Sequence, residues 1–214
     1  MGVNESKGRH LILVLTSFTI LIMTYPLLWI FLRPLLFSAL PDTTARTIYL
    51  LFSSAIAPLI AGLYILFKTR SIPEITVKRN MFCAVLAGIG GCWLIYKITR
   101  FFGVGPVLPG SSIYELIRIF WIILWAPFVE EALFRGYFLE ILKLKWNNIG
   151  ALLLSSLLFT LPHLFNIKII SLTSILLYGF SIFADSIIFG MVYLQGGLIA
   201  AFVVHAFANL YEFF

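Results

Sequence analysis

The sequence predicts an all-α fold: a polytopic bundle of about seven transmembrane helices, within a range of six to eight. Three observations carry that prediction. Of the 214 residues, 61% are hydrophobic and only 11% are charged, whereas soluble domains carry about 25% charged residues. Mean hydropathy is +1.04. The apolar residues fall into runs near the ~20 residues that span a hydrocarbon core. Lys and Arg gather at the ends of those runs, where their stems pack on apolar surface and their heads reach the interface. The length fits one membrane domain, 1–214. The net charge of +6 therefore points to an anionic lipid surface as partner, and not to nucleic acid.

The expected spans follow in order. The first is 11–32, preceded by Lys7 and Arg9. A secretory signal has a shorter apolar region, about 7–15 residues, and a small-residue cleavage site, which Tyr25-Pro26-Leu27 does not resemble. It is read as a retained helix. The second span is 47–67, followed by the most polar connection, Lys68 to Asn80, with Lys68, Arg70, Lys78 and Arg79. The third, 81–98, holds Cys83 and Cys92, both read as small core residues. Nine residues apart on a helix, their Cα atoms lie about 13 Å from each other, too far for a disulfide.

A Gly- and Pro-rich loop is expected from Phe101 to Ser112. The remaining spans are 117–139, 149–165, 169–193 and 197–213; the sixth also reads as a shorter span with an interfacial piece. With the N-terminus inside, one side receives Lys7, Arg9, Lys68, Arg70, Lys78, Arg79, Lys143 and Lys145. The other receives Arg33, Arg46, Lys97, Arg100, Arg118 and Lys168. That bias favours a cytoplasmic N-terminus, and an integral multi-pass protein of the cell membrane if the source is bacterial. No internal repeat of the kind common in carriers is present.

Few ionisable residues fall inside the spans: Glu130, Glu131, Arg135, His163, Asp185 and His205, with Glu140 and Glu212 near span ends. Such groups are costly in lipid and are functional candidates by default. On a helix Glu131 and Arg135 share a face and can pair, while Glu130 is turned about 100° away. Glu130 is thus free for general-base work. Pro127, one turn earlier, cannot donate to the Ile123 carbonyl and is expected to kink the helix and admit water. The same residues also fit an ion-pair staple between helices or a proton relay. His163 closes an apolar stretch after Pro162; alone, such a residue is more often a histidine satisfied by a backbone carbonyl near the interface. His205 and Asn209 share a face and equally fit interhelical glue. Asp185 has no partner readable in the sequence.

Taken together, two carboxylates, two imidazoles, an amide and a guanidinium on three helices resemble the converging polar groups of a bundle active site. They suffice to activate water and stabilise an oxyanion. Glu130, His163 and His205 would also suit a divalent metal such as zinc. Other intramembrane protease types lack their residues. There is no His-Glu-x-x-His, no Gly-x-Ser-x-Gly nucleophile, and only one intramembrane Asp where a dyad needs two.

Glu130-Glu131-Ala-Leu-Phe-Arg135-Gly136 resembles the Glu-Glu-x-x-x-Arg motif of the CAAX protease and bacteriocin-processing family (CPBP, also called Abi). Phe159-Thr-Leu-Pro-His163 is similar to its Phe-x-x-x-His, and His205-Ala-Phe-Ala-Asn209 to its His-x-x-x-Asn or Asp. The approach Gly190-Met-Val-Tyr193-Leu-Gln-Gly196-Gly197 is similar to the family's turn before the last motif. The resemblance covers about 115–212. It implies an intramembrane endopeptidase acting on a membrane-bound protein or lipidated peptide, as in removal of the last three residues of CAAX proteins. It also implies roles: Glu130 activating water with His163, His205 and Asn209 stabilising the oxyanion, Glu131 and Arg135 orienting the site. The family is described both as metal-dependent and as glutamate-type. A non-catalytic membrane factor of the same fold, such as a bacteriocin self-immunity protein or partner-binding scaffold, is the alternative reading. A proton-coupled carrier is the third.

Overall fold

The computed structural model describes residues 2–69, 75–101, 117, 119–164 and 172–211. The expected Gly- and Pro-rich loop lies outside the described residues beyond Phe101, as do Arg70, Arg118, Lys168 and Glu212. All regular structure among the described residues is helical. Helix α1 (Gly2–Leu27) runs through a π turn (Leu28–Leu32) into α2 (Arg33–Ala39). Helix α3 is Asp42–Thr69 and α4 is Met81–Phe101. Helix α5 is composite: a π turn (Trp121–Trp125), an α segment (Ala126–Glu131), a π stretch (Ala132–Leu139) and a last α turn (Glu140–Lys143). Then come α6 (Asn148–Leu164), α7 (Leu172–Gly196) and α8 (Leu198–Tyr211).

The element ends have local causes. Leu40 is extended, at φ −134° and ψ 153°, as the residue before Pro41 must be to avoid its ring. The Asn147 carboxamide oxygen accepts from the Gly150 N–H at 2.8 Å and caps α6. The first helix does not stop at residue 32 as the sequence suggested; it continues to Ala39. The physical reason is the π turn. Both Leu28–Leu32 and Trp121–Trp125 end two residues before a proline, Pro34 and Pro127. The wider coil gives the ring room where it would meet a carbonyl of the preceding turn.

The bundle's exterior is apolar, and its polar side chains at the centre are turned inward within an otherwise apolar core. Phe82, Leu86 and Leu94 on α4, Leu153 and Leu157 on α6, and Leu172, Leu176 and Phe180 on α7 face outward. Glu130, Glu131, Arg135, Ser155, Ser156, Thr160, Ser186 and His205 are buried. That inversion is the pattern of a helical bundle in lipid. By length and apolarity alone, two described helices, Met81–Phe101 and Ile175–Gly196, suffice to cross a bilayer. One expectation fails here: Cys83 is exposed while Cys92 is buried. Nine residues at about 100° each put the two on opposite faces of α4.

Helix α4 packs on α7 and α8, α1 pairs with α3, and α5 packs against α3, α6 and α8. Gly88 sets the α4 approach, since a Cβ there would lie 2.7 Å from a Val192 methyl and 2.9 Å from Val204. Residues before α4 clamp the α7–α8 turn. The Lys78 N–H donates to the Gly196 carbonyl at 3.1 Å, and Lys78 Nζ to the Leu194 carbonyl at 3.0 Å. The Leu198 N–H donates to Thr76 Oγ1 at 3.3 Å. Tyr193 OH donates to Glu140 Oε1 at 3.0 Å, tying the end of α5 to α7.

At the turn itself Gly197 has φ +89°, and a Cβ there would run into the Thr76 carbonyl oxygen. Gly197→Ala should therefore destabilise the protein by at least ~1–3 kcal/mol, the cost of a left-handed non-Gly residue. Thermal unfolding in detergent measures this; an unchanged Tm would contradict it.

Candidate active site

The polar residues of α5 meet those of α6, α7 and α8 at one buried point. Spacing on α5 puts Glu131 and Arg135 together: Arg135 Nη1 donates to Glu131 Oε1 at 3.1 Å. The other guanidinium nitrogen, Nη2, donates to the Ser186 carbonyl at 2.7 Å and to Ser186 Oγ at 2.8 Å on α7. The guanidinium also lies 4.8 Å from the Phe159 ring centre and 5.5 Å from that of Phe189. A fully enclosed cation is thus neutralised, hydrogen-bonded and faced by aromatic π clouds.

Glu131 Oε1 accepts a second hydrogen bond, from His205 Nδ1 at 2.8 Å. A carboxylate facing Arg135 can only accept here, so His205 Nδ1 carries hydrogen and Nε2 points away from Glu131. The imidazole stacks on Phe189, 4.4 Å between ring centres. His163 is oriented by the same logic. Its Nδ1 donates to the Phe159 carbonyl at 2.8 Å, and its ring stacks on Phe159 at 4.6 Å. In both histidines Nδ1–H is used on an acceptor and Nε2 is left for the site.

Both Nε2 atoms face one oxygen. Glu130 Oε2 is 3.7 Å from His205 Nε2 and 3.9 Å from His163 Nε2. These separations exceed a hydrogen bond, so Glu130 and the two rings frame a space instead of closing on each other. The site is one-sided. The His163 side chain is 25% exposed and Glu130 10%, whereas Glu131 is 0%. His163 forms the accessible edge, Glu130 lies just beneath it, and Glu131 is enclosed.

Asn209 lies on the same face of α8 as His205, four residues on. Its Nδ2 donates to the Ile122 carbonyl at 2.8 Å, in the π turn of α5. Asp185 of α7 lies beside the Cys92 thiol of α4. The structure therefore gathers Glu130, Glu131, Arg135, His163 and His205 into one cluster, and sets Asn209 against the backbone beside them. Ser186 and Phe189 were not singled out by the sequence. Ser186 is one of three serines in its helix, marked only by its neighbour Asp185, and Phe189 is one of 21 phenylalanines.

Glu130, His163 and His205 would be the donor set for a zinc ion. Two ligands of a tetrahedral zinc, each ~2.0–2.1 Å from the metal, lie about 3.3 Å from each other. The carboxylate-to-imidazole distances of 3.7 and 3.9 Å are wider than that. Among the described residues, no three His, Cys, Asp or Glu side chains are spaced to hold a metal ion. The arrangement does not fit the metal.

Comparison with known protein families finds a match over residues 112–211, to the family described as Type II CAAX prenyl endopeptidase Rce1-like. No curated protein and no solved structure matches the chain.

Proposed function

We infer that this chain, whose residues 112–211 match the family of type II CAAX prenyl endopeptidases described as Rce1-like, hydrolyses a peptide bond in a membrane-associated protein with Glu130 as the base. The observation that carries the reading is the convergence of two oriented imidazole Nε2 atoms on Glu130 Oε2, at the exposed edge of the buried Glu131–Arg135 pair.

A water in the space framed by Glu130, His163 and His205 gives a proton to Glu130 as its oxygen adds to the scissile carbonyl carbon. His163 Nε2 accepts a hydrogen bond from that water and fixes its direction. Negative charge then develops on the former carbonyl oxygen. His205 donates to that oxygen from Nε2 when the ring carries both protons, and Glu131 at Nδ1 is placed to share that charge. Collapse breaks the C–N bond, and the proton held on Glu130 passes to the leaving amine. Glu131 and Arg135 do not touch the substrate. They orient His205, and Ser186 holds Arg135.

The apolar exterior puts this site within reach of lipid-embedded chains. The test is reconstitution of the purified protein in liposomes with a farnesylated peptide ending in a CAAX sequence. Release of the C-terminal tripeptide, followed by mass spectrometry, is the expected result. No cleavage of this peptide, nor of the same peptide geranylgeranylated, would remove the prenyl-peptide reading.

A further inference from the structure

We propose that Phe189 of α7 is a positioning residue: it fixes the plane of the His205 imidazole, so that Nε2 faces Glu130. The two rings stack with centres 4.4 Å apart and planes 15° from parallel. The Glu131 carboxylate holds only Nδ1 of that imidazole, at 2.8 Å. The torsion that sets the plane of an imidazole is broad, so one hydrogen bond leaves the ring free to tilt. A tilt with Nδ1 held swings Nε2, and the space beside Glu130 changes width. A flat partner removes that freedom, because tilting drives the imidazole into the stacked face or away from it. Phe159 meets the same imidazole at 70°, with ring centres 5.6 Å apart. Glu131, Phe159 and Phe189 thus surround His205, and Nε2 is left for Glu130.

The arrangement repeats at the other histidine. His163 stacks on Phe159 with planes 26° apart, and its Nδ1 donates to the Phe159 carbonyl. Each imidazole has one acceptor at Nδ1 and one aromatic ring against a face. The two phenylalanines meet each other at 83°, centres 6.3 Å apart, and the Arg135 guanidinium lies over both. Helix spacing brings Phe189 to this place. Ser186 and Phe189 are three apart and share a face of α7; Ser186 takes Arg135, and Phe189 takes His205. Gly190 lets that helix come close, since a Cβ there would run into the Leu152 side chain of α6.

The test is Phe189→Leu, and its activity arm rests on the proteolytic reading above. Leu keeps most of the buried apolar surface and gives up the flat face. On the farnesylated CAAX peptide kcat should fall about two- to tenfold, what one aromatic pair contributes, with KM unchanged. Phe189→Met serves where Leu leaves the protein unable to fold. Phe138→Leu is the control. Phe138 is also buried, and among the described residues its ring partner is Phe134. The same truncation there should lower Tm and leave kcat at the wild-type value.

The second arm reads the imidazole without substrate, by NMR of ¹⁵N-histidine-labelled protein in detergent. The Nδ1 hydrogen of His205 is assigned by its absence from His205→Ala. It should exchange with water equally slowly in the wild type and in Phe138→Leu, and about two- to tenfold faster in Phe189→Leu. Exchange in Phe189→Leu as slow as in the wild type overturns the proposal. So does wild-type kcat in that variant, a fall in kcat matched by Phe138→Leu, or a loss that falls on KM. Should the wild type cleave no peptide, the proteolytic reading fails, while the exchange arm still decides for or against Phe189.

Discussion

Glu130→Gln should leave the fold intact and lower kcat about 10²–10⁴-fold, the contribution of a positioned general base. Gln keeps the size and planarity of the side chain but takes no proton. The loss should fall on kcat and leave KM near its wild-type value, because Glu130 acts on water and not on the substrate's binding groups. Unchanged Tm separates this from unfolding. Glu131→Gln is the instructive companion. It keeps an acceptor for Arg135 and His205, yet removes the charge at His205 Nδ1. Its deficit should be smaller than that of Glu130→Gln and should come with a lower Tm. Wild-type rates in Glu130→Gln on a cleaved peptide would sink the mechanism. Equal deficits without loss of stability in both variants would mean that the two carboxylates are not divided as the geometry divides them.

The second large effect is on stability. Arg135→Met keeps the length of the stem and removes the guanidinium. Glu131 then loses its 3.1 Å partner, and the Ser186 carbonyl and hydroxyl lose the Nη2 donor. Removing one member of an enclosed ion pair typically costs about 3–5 kcal/mol, because the remaining charge is stranded. Unfolding in detergent should show a loss of that order. The paired substitution Glu131→Leu with Arg135→Met should be less unstable than Arg135→Met alone, since no charge is left behind. A single variant as stable as wild type would show that Arg135 does not neutralise Glu131 in the folded protein.

Much of the fold was legible because lipid makes composition speak plainly. Runs of apolar residues ended by Lys or Arg correspond to helices, and α4, α6 and α7 lie within a few residues of their expected bounds. The face-sharing of Glu131 with Arg135, and of His205 with Asn209, follows from 3.6 residues per turn and recurs in the structure. What the sequence hid is non-local or depends on helix register. The π turns before Pro34 and Pro127 answer a ring's need for room, which no periodicity announces. Ser186 gains its meaning only from Arg135, 51 residues earlier. The sequence makes Cys83 a core residue because its neighbours are apolar; in a bundle with an oily exterior, apolar neighbours do not distinguish inside from outside, and Cys83 is exposed. The histidine orientations likewise had to come from geometry, because a ring's hydrogen-bonding role is fixed by the acceptor at its other nitrogen.

The π turn at Trp121–Trp125 carries one more implication, for chain length. A π turn holds one residue more than an α turn needs. Deleting one residue there, such as Leu124, would let the helix return to α register. The wider turn absorbs its extra residue, so the segments before and after it would keep their relative phase. The same deletion in a regular α stretch of the helix would rotate everything before it by about 100° relative to Glu130 and Glu131. The angular phase between the two halves of α5 is therefore written in the count of residues as much as in their identity. A one-residue deletion acts as a straightening at the π turn and as a rotation elsewhere.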